Sequence, residues 1–331
     1  MSAADASPAP LLTVIVPVHD RETLVAGTIR SLVPAVAAGV EVLIVDDGSR
    51  DRSLAVAEAT VDELGIGHAV RVLSQPNAGP GAARNTGAAA ARTPWLAFLD
   101  SDDLWLPWTA PTLLDAILRP DPPAAIFLAP HVFTDTADLS RLSPAAAVVR
   151  RHPTLLAMRG APDRLSLIGS CNFAVRADAF AAAAGFTERT RCAEDSDLFY
   201  RLGDLGPVDS IAAPALVAFR TMGQASLTQD TAQMAAGYTF LLAREEAGAY
   251  GAPSPERSRV LGLGAAFAVR RIFARGQARL AYRLLWQARN VLREALDAAT
   301  LLKLWATPLL ALLRPRNHRF DWRALLGGER A

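Results

Sequence analysis

The residues best suited to chemistry stand where apolar runs stop. In "FLDSDDLW" (residues 98–105) a strand-like run ending at Leu99 gives way to Asp100, Ser101, Asp102 and Asp103. Carboxylates this close repel one another. Two of them one residue apart can jointly grip a divalent cation that prefers oxygen ligands, with water and substrate phosphate oxygens completing its shell. The same acids would also serve as a solvated turn capping a following helix, a role worth only about 0.3–1 kcal/mol each. A second acidic group, "CAEDSDLFYRL", places Glu194, Asp195 and Asp197 at the start of a helical pattern. These acids either complement the helix dipole or supply a general base. Burial and a like-charged neighbour such as Glu194 would raise an aspartate pKa toward the range a base needs.

Three further clusters have the same placement. "IVDDGS" (44–49) ends a run in a turn, and Ser49 or Asp51 can cap the next helix; alternatively Asp47 accepts a hydrogen bond from a ligand N–H such as the imide of a uracil. "NAGPGAARNTG" (77–87) is either an ordinary loop and helix start or a Gly-rich helix entry whose free N–H groups attract anions, with Arg84 as a bidentate phosphate donor. His19 follows the apolar run that contains Pro17, where its ring could stack on a flat ligand.

The elements that must position these groups alternate. Apolar runs read as strands at "LLTVIVPV", "VEVLIVDD", "HAVRVLSQ" and "TPWLAFLD", with helical patterns between them. That alternation predicts an α/β domain with a mainly parallel sheet, in which ligands collect at the carboxyl ends of the strands. Four polar strand ends would then share one crevice. Farther on, "AAIFLAPHVFTD" reads as strand, "IGSCNFAVRADAFAAAAGF" as strand then helix, and "VDSIAAPALVAFR" as paired strands.

Several classes are excluded. Gly79, Gly81 and Gly87 miss the dinucleotide-binding spacing, and no P-loop, HExxH or G-x-S-x-G element occurs. The formal net charge of +1 on 331 residues gives no global pull toward nucleic acid. Cys171 and Cys192 have no metal-ligand spacing; they read as reduced thiols, with a disulfide as the alternative. Residues 1–11 lack the basic and apolar regions of a secretory signal and read as a loose leader, so the expected location is cytoplasmic. Residues 231–331 read as a helical, basic extension in which Arg279, Arg283, Arg289, Arg293, Lys303, Arg314, Arg316 and Arg319 dominate. Such helices either lie against an anionic membrane as a peripheral contact or pack on the α/β domain with a solvated basic face. "TLLKLWATPLLALL" is too short to span a bilayer.

The order V-I-V-P-x-x-D (14–20), V-D-D-G-S (45–49), N-x-G-x-x-x-A-R-N-x-G (77–87), L-D-S-D-D (99–103) and G-F…E-D-x-D-L…R-L (185–202) resembles the family 2 glycosyltransferases of the GT-A fold. The resemblance covers roughly residues 12–230, divided into a nucleotide-binding half (12–103) and an acceptor-binding half (104–230). It implies inverting transfer of a sugar from a nucleotide-diphosphate donor, commonly a UDP-sugar, to a glycan or lipid-linked hydroxyl acceptor. It places Pro17, His19, Asp47, Arg84, Asn85 and Asp100 around the nucleotide, and Asp102 with Asp103 on Mg²⁺ or Mn²⁺. Asp195 would be the general base, with Glu194, Asp197 and Arg220 as secondary candidates. Three departures stand out. His19-Asp20 replaces a frequent Tyr-Asn, and Met222 replaces a frequent His. "LLWQARN" lacks the Q-x-x-R-W order of processive synthases, which favours single addition. A non-catalytic nucleotide-sugar-binding or scaffold protein on the same fold, and a nucleotidyltransferase, are the competing readings. Asp102 with Asp195 argues against the first, and the absence of a basic Gly-rich loop after the first strand argues against the second.

Overall fold

The computed structural model describes residues 9–128, 131–133, 139–160, 169–220 and 230–312. Met222, Arg314, Arg316, Arg319, His318 and most of the leader lie outside the described residues. The chain divides into two compact units, Met1–Ala225 and Ser226–Ala331.

The first unit begins with β1 (Leu12–Val18), α1 (Val25–Ser31), α2 (Val33–Ala37), β2 (Glu41–Asp47), α3 (Ser53–Leu64), β3 (Val70–Gln75), α4 (Pro80–Ala90) and β4 (Trp95–Phe98). It continues through β5 (Leu104–Trp105), α5 (Thr109–Ile117), β6 (Ala125–Leu128), β7 (His131–Phe133), β8 (Val148–His152) and α6 (Leu155–Gly160). β9 (Phe173–Arg176), α7 (Ala177–Ala182), α8 (Glu194–Arg201), β10 (Val208–Ala213) and β11 (Val217–Phe219) complete it. Eight strands form one sheet in the order β3-β2-β1-β4-β9-β6-β10-β8, and β5-β11-β7 form a small second sheet. The sheet half built from β1 to β4 is wholly parallel, with Val14 opposite Val42 and Ile15 opposite Phe98.

The apolar runs are unbroken because both faces of this sheet are covered. Leu12, Val14, Val16 and Val18 enter one core cluster together with Val42 and Ile44. Ile15, Leu43 and Val45 point the other way, into a cluster with Phe98, Phe127, Phe173 and Phe199. Side chains of this size each gain about 1.5–3 kcal/mol on full burial. α4 lies on that second face, and its approach to β1 sets a steric limit: a Cβ on Gly87 would stand 2.4 Å from Ile15 Cγ2. Gly87→Ala is therefore expected to lower stability by about 1–3 kcal/mol, through overpacking that outweighs the better helix propensity of alanine. A urea midpoint equal to that of the wild type would refute the close fit.

β10 and β11 do not form the expected hairpin. β10 pairs with β6 and β8 in the large sheet, whereas β11 pairs with β5 and β7 in the small one. Pro214 has no N–H to continue a ladder, and the chain leaves one sheet there to enter the other. β9 is likewise antiparallel to both β4 and β6, so the sheet is mixed beyond β4.

The second unit consists of α9 (Thr231–Glu246), α10 (Pro255–Ala274), α11 (Ala278–Gln287), α12 (Arg289–Ala295) and α13 (Ala298–Leu312). Asp230 caps α9 by accepting from the amides of Ala232 and Gln233, and Ser254 caps α10 by accepting from Arg257. α10 forms the spine of this unit. Its Leu261, Ala265, Val269 and Ile272 are buried, as are Leu284, Leu285 and Leu292 of the helices that follow. Among the described residues, no helix is long and apolar enough to cross a membrane.

Candidate active site

β2 runs outward from β1 on one side and β4 on the other, so a crevice opens between the ends of β1 and β4. His19 and Asp100 stand at those two ends. His19 donates from Nδ1 to the Asp47 carbonyl at 2.9 Å, which holds the ring at the crevice edge. Pro17, inside β1, sits opposite Val45 and serves the sheet.

Asp47 is almost wholly buried and is occupied with its own loop. Its Oδ1 accepts from Ala78 N–H and Gln75 Nε2, and its Oδ2 accepts from Gly79 N–H, each at 2.8 Å. A carboxylate offers about four acceptor positions, so one remains for a ligand N–H. Gly48 is required beside it: its φ is +64° and a Cβ there would meet Asn77 N at 2.7 Å. Asp51 accepts from the Ser53 amide at 2.9 Å at the start of α3, and Ser49 instead accepts from the Asp20 amide at 3.1 Å.

Asp100 to Asp103 form a turn closed by Asp103 N–H on the Asp100 carbonyl at 3.0 Å. Strand β5 follows it rather than a helix, so these acids cap nothing. The turn is anchored from two sides. Thr28 Oγ1 donates to the Ser101 carbonyl at 2.9 Å, and Arg220 donates from Nε to the Asp102 carbonyl at 2.5 Å and from Nη2 to Thr28 Oγ1 at 2.7 Å. Arg220 thus acts on the turn rather than in the open crevice.

Ligand atoms of Asp100, Asp103 and Cys171 all lie within 4.8 Å of one another. The Asp102 carboxylate points instead toward Arg21, 3.7 Å from its Nε. The turn thus places its first and last acids together, with the expected ligand Asp102 beside them on the Arg21 side. Burial, and then the charges of Asp100 and Asp102, push Asp103 up to about 8. Burial followed by Asp100 also raises Asp102. Its two converging carboxylates suit an oxygen-preferring divalent cation, with one Asp100 oxygen already accepting from Arg84 at 2.7 Å. The Cys171 thiol is raised well above its usual value by burial, then by Asp100 and Asp103, so it stays protonated and is no ligand for a hard cation. Neither cysteine is in a disulfide.

Arg84 crosses from this turn to α8. It lies buried under the crevice, donating from Nη2 to Asp100 Oδ1 at 2.7 Å and from Nη1 to Glu194 Oε1 at 2.8 Å. Its guanidinium carbon is 5.3 Å from the Phe186 ring centroid, and its Nε has no hydrogen-bond partner among the described residues. The expected phosphate donor is therefore committed to two carboxylates. Asn85 is equally committed. Its amide donates to the Phe186 carbonyl at 2.9 Å and accepts from the Phe186 N–H at 2.8 Å, bracing the segment before α8.

The acids of α8 have separate surroundings. Glu194 is buried, and burial raises it to about 7 against the pull of Arg84. Asp195 keeps part of its surface open. Its Oδ1 accepts from Ser196 N–H at 2.6 Å, and its pKa is raised by burial and the Asp100 charge against Arg159 and Arg84. Ala193, immediately before the helix, has φ +69°, an uncommon conformation for a residue with a Cβ and one that aims the first turn. Asp197, by contrast, is fully buried and ion-paired with Arg201 at 2.7 Å, a structural position rather than a reactive one.

Sequence reasoning missed Cys171, Arg159 and Arg21. None carries a spacing signal, since each reaches the site through tertiary folding.

The glycosyl transferase family 2 model matches residues 13–182, just over half of the chain, and the chain belongs to that family. It is 33% identical over 201 residues to the pre-mycofactocin glycosyltransferase of Mycobacterium tuberculosis, a match covering 59% of this chain and 39% of that protein. The chain thus spans well under half the length of the first curated relatives it matches. The GT-A type fold is shared with the mannosyltransferase PcManGT from Pyrobaculum calidifontis, solved in complex with GDP-Man and Mn²⁺. That likeness has a TM-score of 0.57 and 16% identity, covering 93% of this chain and 82% of that one. It is also shared with S. aureus TarS 1-349 in complex with UDP-GlcNAc, at a TM-score of 0.55 and 16% identity over 91% and 92% of the two chains.

Proposed function

We propose that this chain is an inverting glycosyltransferase that moves a sugar from a nucleotide-diphosphate donor, a UDP-sugar by family resemblance, to a hydroxyl group of a glycan or lipid-linked acceptor. The observation that carries the reading is the meeting of two acid sets at one crevice, the turn after β4 and the first turn of α8, joined by Arg84. Binding alone needs only the first set. The neighbours bound to UDP-GlcNAc and to GDP-Man with Mn²⁺ support a nucleotide-sugar donor and a divalent cation.

In this reading Asp195 takes the proton of the acceptor hydroxyl. The hydroxyl oxygen bonds to the sugar C1 from the face opposite the nucleotide, the C1–oxygen bond breaks, and its electron pair departs with the diphosphate. Asp100 and Asp103 would hold Mg²⁺ or Mn²⁺. When bound, that ion supplies several kcal/mol of charge stabilisation to the leaving diphosphate. Asp47 fixes the 75–79 loop beside the nucleotide and keeps one acceptor position for its base. Arg84 fixes Asp100 and Glu194, and holding both substrates in this frame supplies the orientation that the reaction requires. A single sugar is added per encounter, at the cytoplasmic side of the cell membrane.

The test is calorimetric titration of UDP with and without Mn²⁺. Metal-dependent binding is expected in the wild type, lost in Asp103→Ala and weakened to a smaller extent in Asp102→Ala, whose carboxylate faces Arg21. If folded protein binds none of UDP, GDP or dTDP in the presence of Mn²⁺, the donor site is refuted and the scaffold reading stands in its place.

A further inference from the structure

The helical unit carries one face that the transfer reaction does not use. Between Glu256 and Glu294 the chain has nine arginines and no acid. Three of them are engaged within the unit: Arg257 pairs with Glu245 at 2.6 Å, and Arg271 and Arg289 stack on Phe267 and Trp286 with their guanidinium carbons 5.5 and 4.7 Å from the ring centroids. Arg279, Arg283 and Trp286 stand at i, i+4 and i+7 on α11 and all three are exposed, Trp286 by 61%. Arg275 precedes this stripe and Arg293 follows it, both exposed. None of Arg275, Arg279, Arg283 and Arg293 has an ion pair with a described residue.

We infer that this stripe is a docking surface for an anionic phospholipid bilayer. Three observations favour that occupant. The first is charge: arginines with no compensating acid repel one another in solution, and an anionic leaflet attracts each of them with about 1 kcal/mol. The second is Trp286. A large exposed aromatic under a guanidinium suits the boundary between headgroups and acyl chains, where an apolar ring and a polar edge are both satisfied. The third is an adjoining groove of about 540 Å³ between α9 and α11. Four alanines and Leu280 form most of its lining, Thr239 and Gln287 are polar positions in it, and Arg283 of the stripe stands on its wall. A phosphate on Arg283 would therefore have its attached hydrocarbon beside a mainly alanine surface. The helix lies on the membrane rather than through it.

The full chain is sedimented with vesicles of phosphatidylcholine and of an equal mixture of phosphatidylcholine and phosphatidylglycerol. Binding is expected to the mixed vesicles only, and to fall as salt is added. The double substitution Arg279→Glu with Arg283→Glu is expected to weaken binding at least tenfold. Trp286→Ser is expected to weaken it several-fold while leaving the salt dependence unchanged. All three side chains are exposed, so the urea midpoint reports that the variants fold as the wild type does. Equal sedimentation with both vesicle types, or unchanged binding in the variants, would overturn the inference. So would a change in solution mass on charge reversal, which would assign the face to a second copy of the chain. The readout does not involve sugar transfer, so it stands or falls apart from the proposed reaction.

Discussion

Asp195→Asn is expected to lower kcat by about 10²–10⁴-fold while nucleotide binding with Mn²⁺ is retained. The amide keeps the size and polarity of the side chain but cannot accept the hydroxyl proton. The first turn of α8 therefore stays intact, and so does the Arg84 bridge, which runs through Glu194 rather than Asp195. The pH dependence has a defined sign. Because burial and the Asp100 charge raise Asp195, the carboxylate form that the proposed reaction requires is reached at a higher pH than for an ordinary aspartate. Wild-type kcat is expected to rise on the acid side of the profile as Asp195 deprotonates, and the asparagine variant is expected to lose that limb. Steady-state turnover at saturating donor and acceptor reads the first effect, and its pH profile the second. Retention of turnover within tenfold would remove Asp195 as the base. Glu194, raised to about 7 but buried and tied to Arg84, would then be the next acid to substitute.

The half of the site built from strand ends is legible in the sequence, because a parallel sheet puts the ends of β1, β2 and β4 together whatever the details of packing. Uninterrupted apolar runs such as "LTVIVPV" also reveal burial on both faces. Gly48 and Gly87 are explained only by the fold, since the atoms that a Cβ would meet belong to Asn77 and Ile15 of other strands and loops. The partners of the charged groups are not legible either. Arg84 lies 110 residues before Glu194, and a helix-entry arginine looks the same in sequence whether it meets a phosphate or two carboxylates. The choice of Asp100 and Asp103 as the converging pair depends on how the turn closes, which D-S-D-D spacing does not encode. Asn85 could not be told from a crevice residue, because its partner Phe186 arrives from the segment before α8. The separation of β10 from β11 was hidden for a related reason: an apolar strand pattern specifies which face is buried, not which neighbour it joins.

Arg84→Met is expected to destabilise the first unit by about 3–5 kcal/mol, the usual cost of removing one member of a buried ion pair. Methionine fills much of the same volume against Phe186, so the loss is one of charge rather than of packing. What remains is two carboxylates facing a gap, one of them on Glu194, whose side chain is only 10% exposed. Arg84 itself stays charged throughout, its pKa raised by Asp100 and Glu194 in spite of its burial. Glu194 then sets the pH dependence. Its pKa in the folded protein is about 7 against an ordinary value of 4.5. It therefore contributes stability that is fully present below about 4.5 and is lost as pH rises through about 7. With Arg84 gone, nothing offsets the Glu194 charge, so the gap in unfolding free energy between wild type and variant should widen as pH rises through that value. Arg84→Lys should be intermediate, since a single ammonium cannot donate to both acids in the geometry of a planar fork. Adding Glu194→Gln to Arg84→Met should recover part of the loss, because the second substitution removes the charge that the first left unpaired. Urea unfolding across this pH range measures all three. A variant as stable as the wild type above pH 7 would mean that solvent, not Arg84, satisfies these acids, and that the two halves of the crevice are not held together by this side chain.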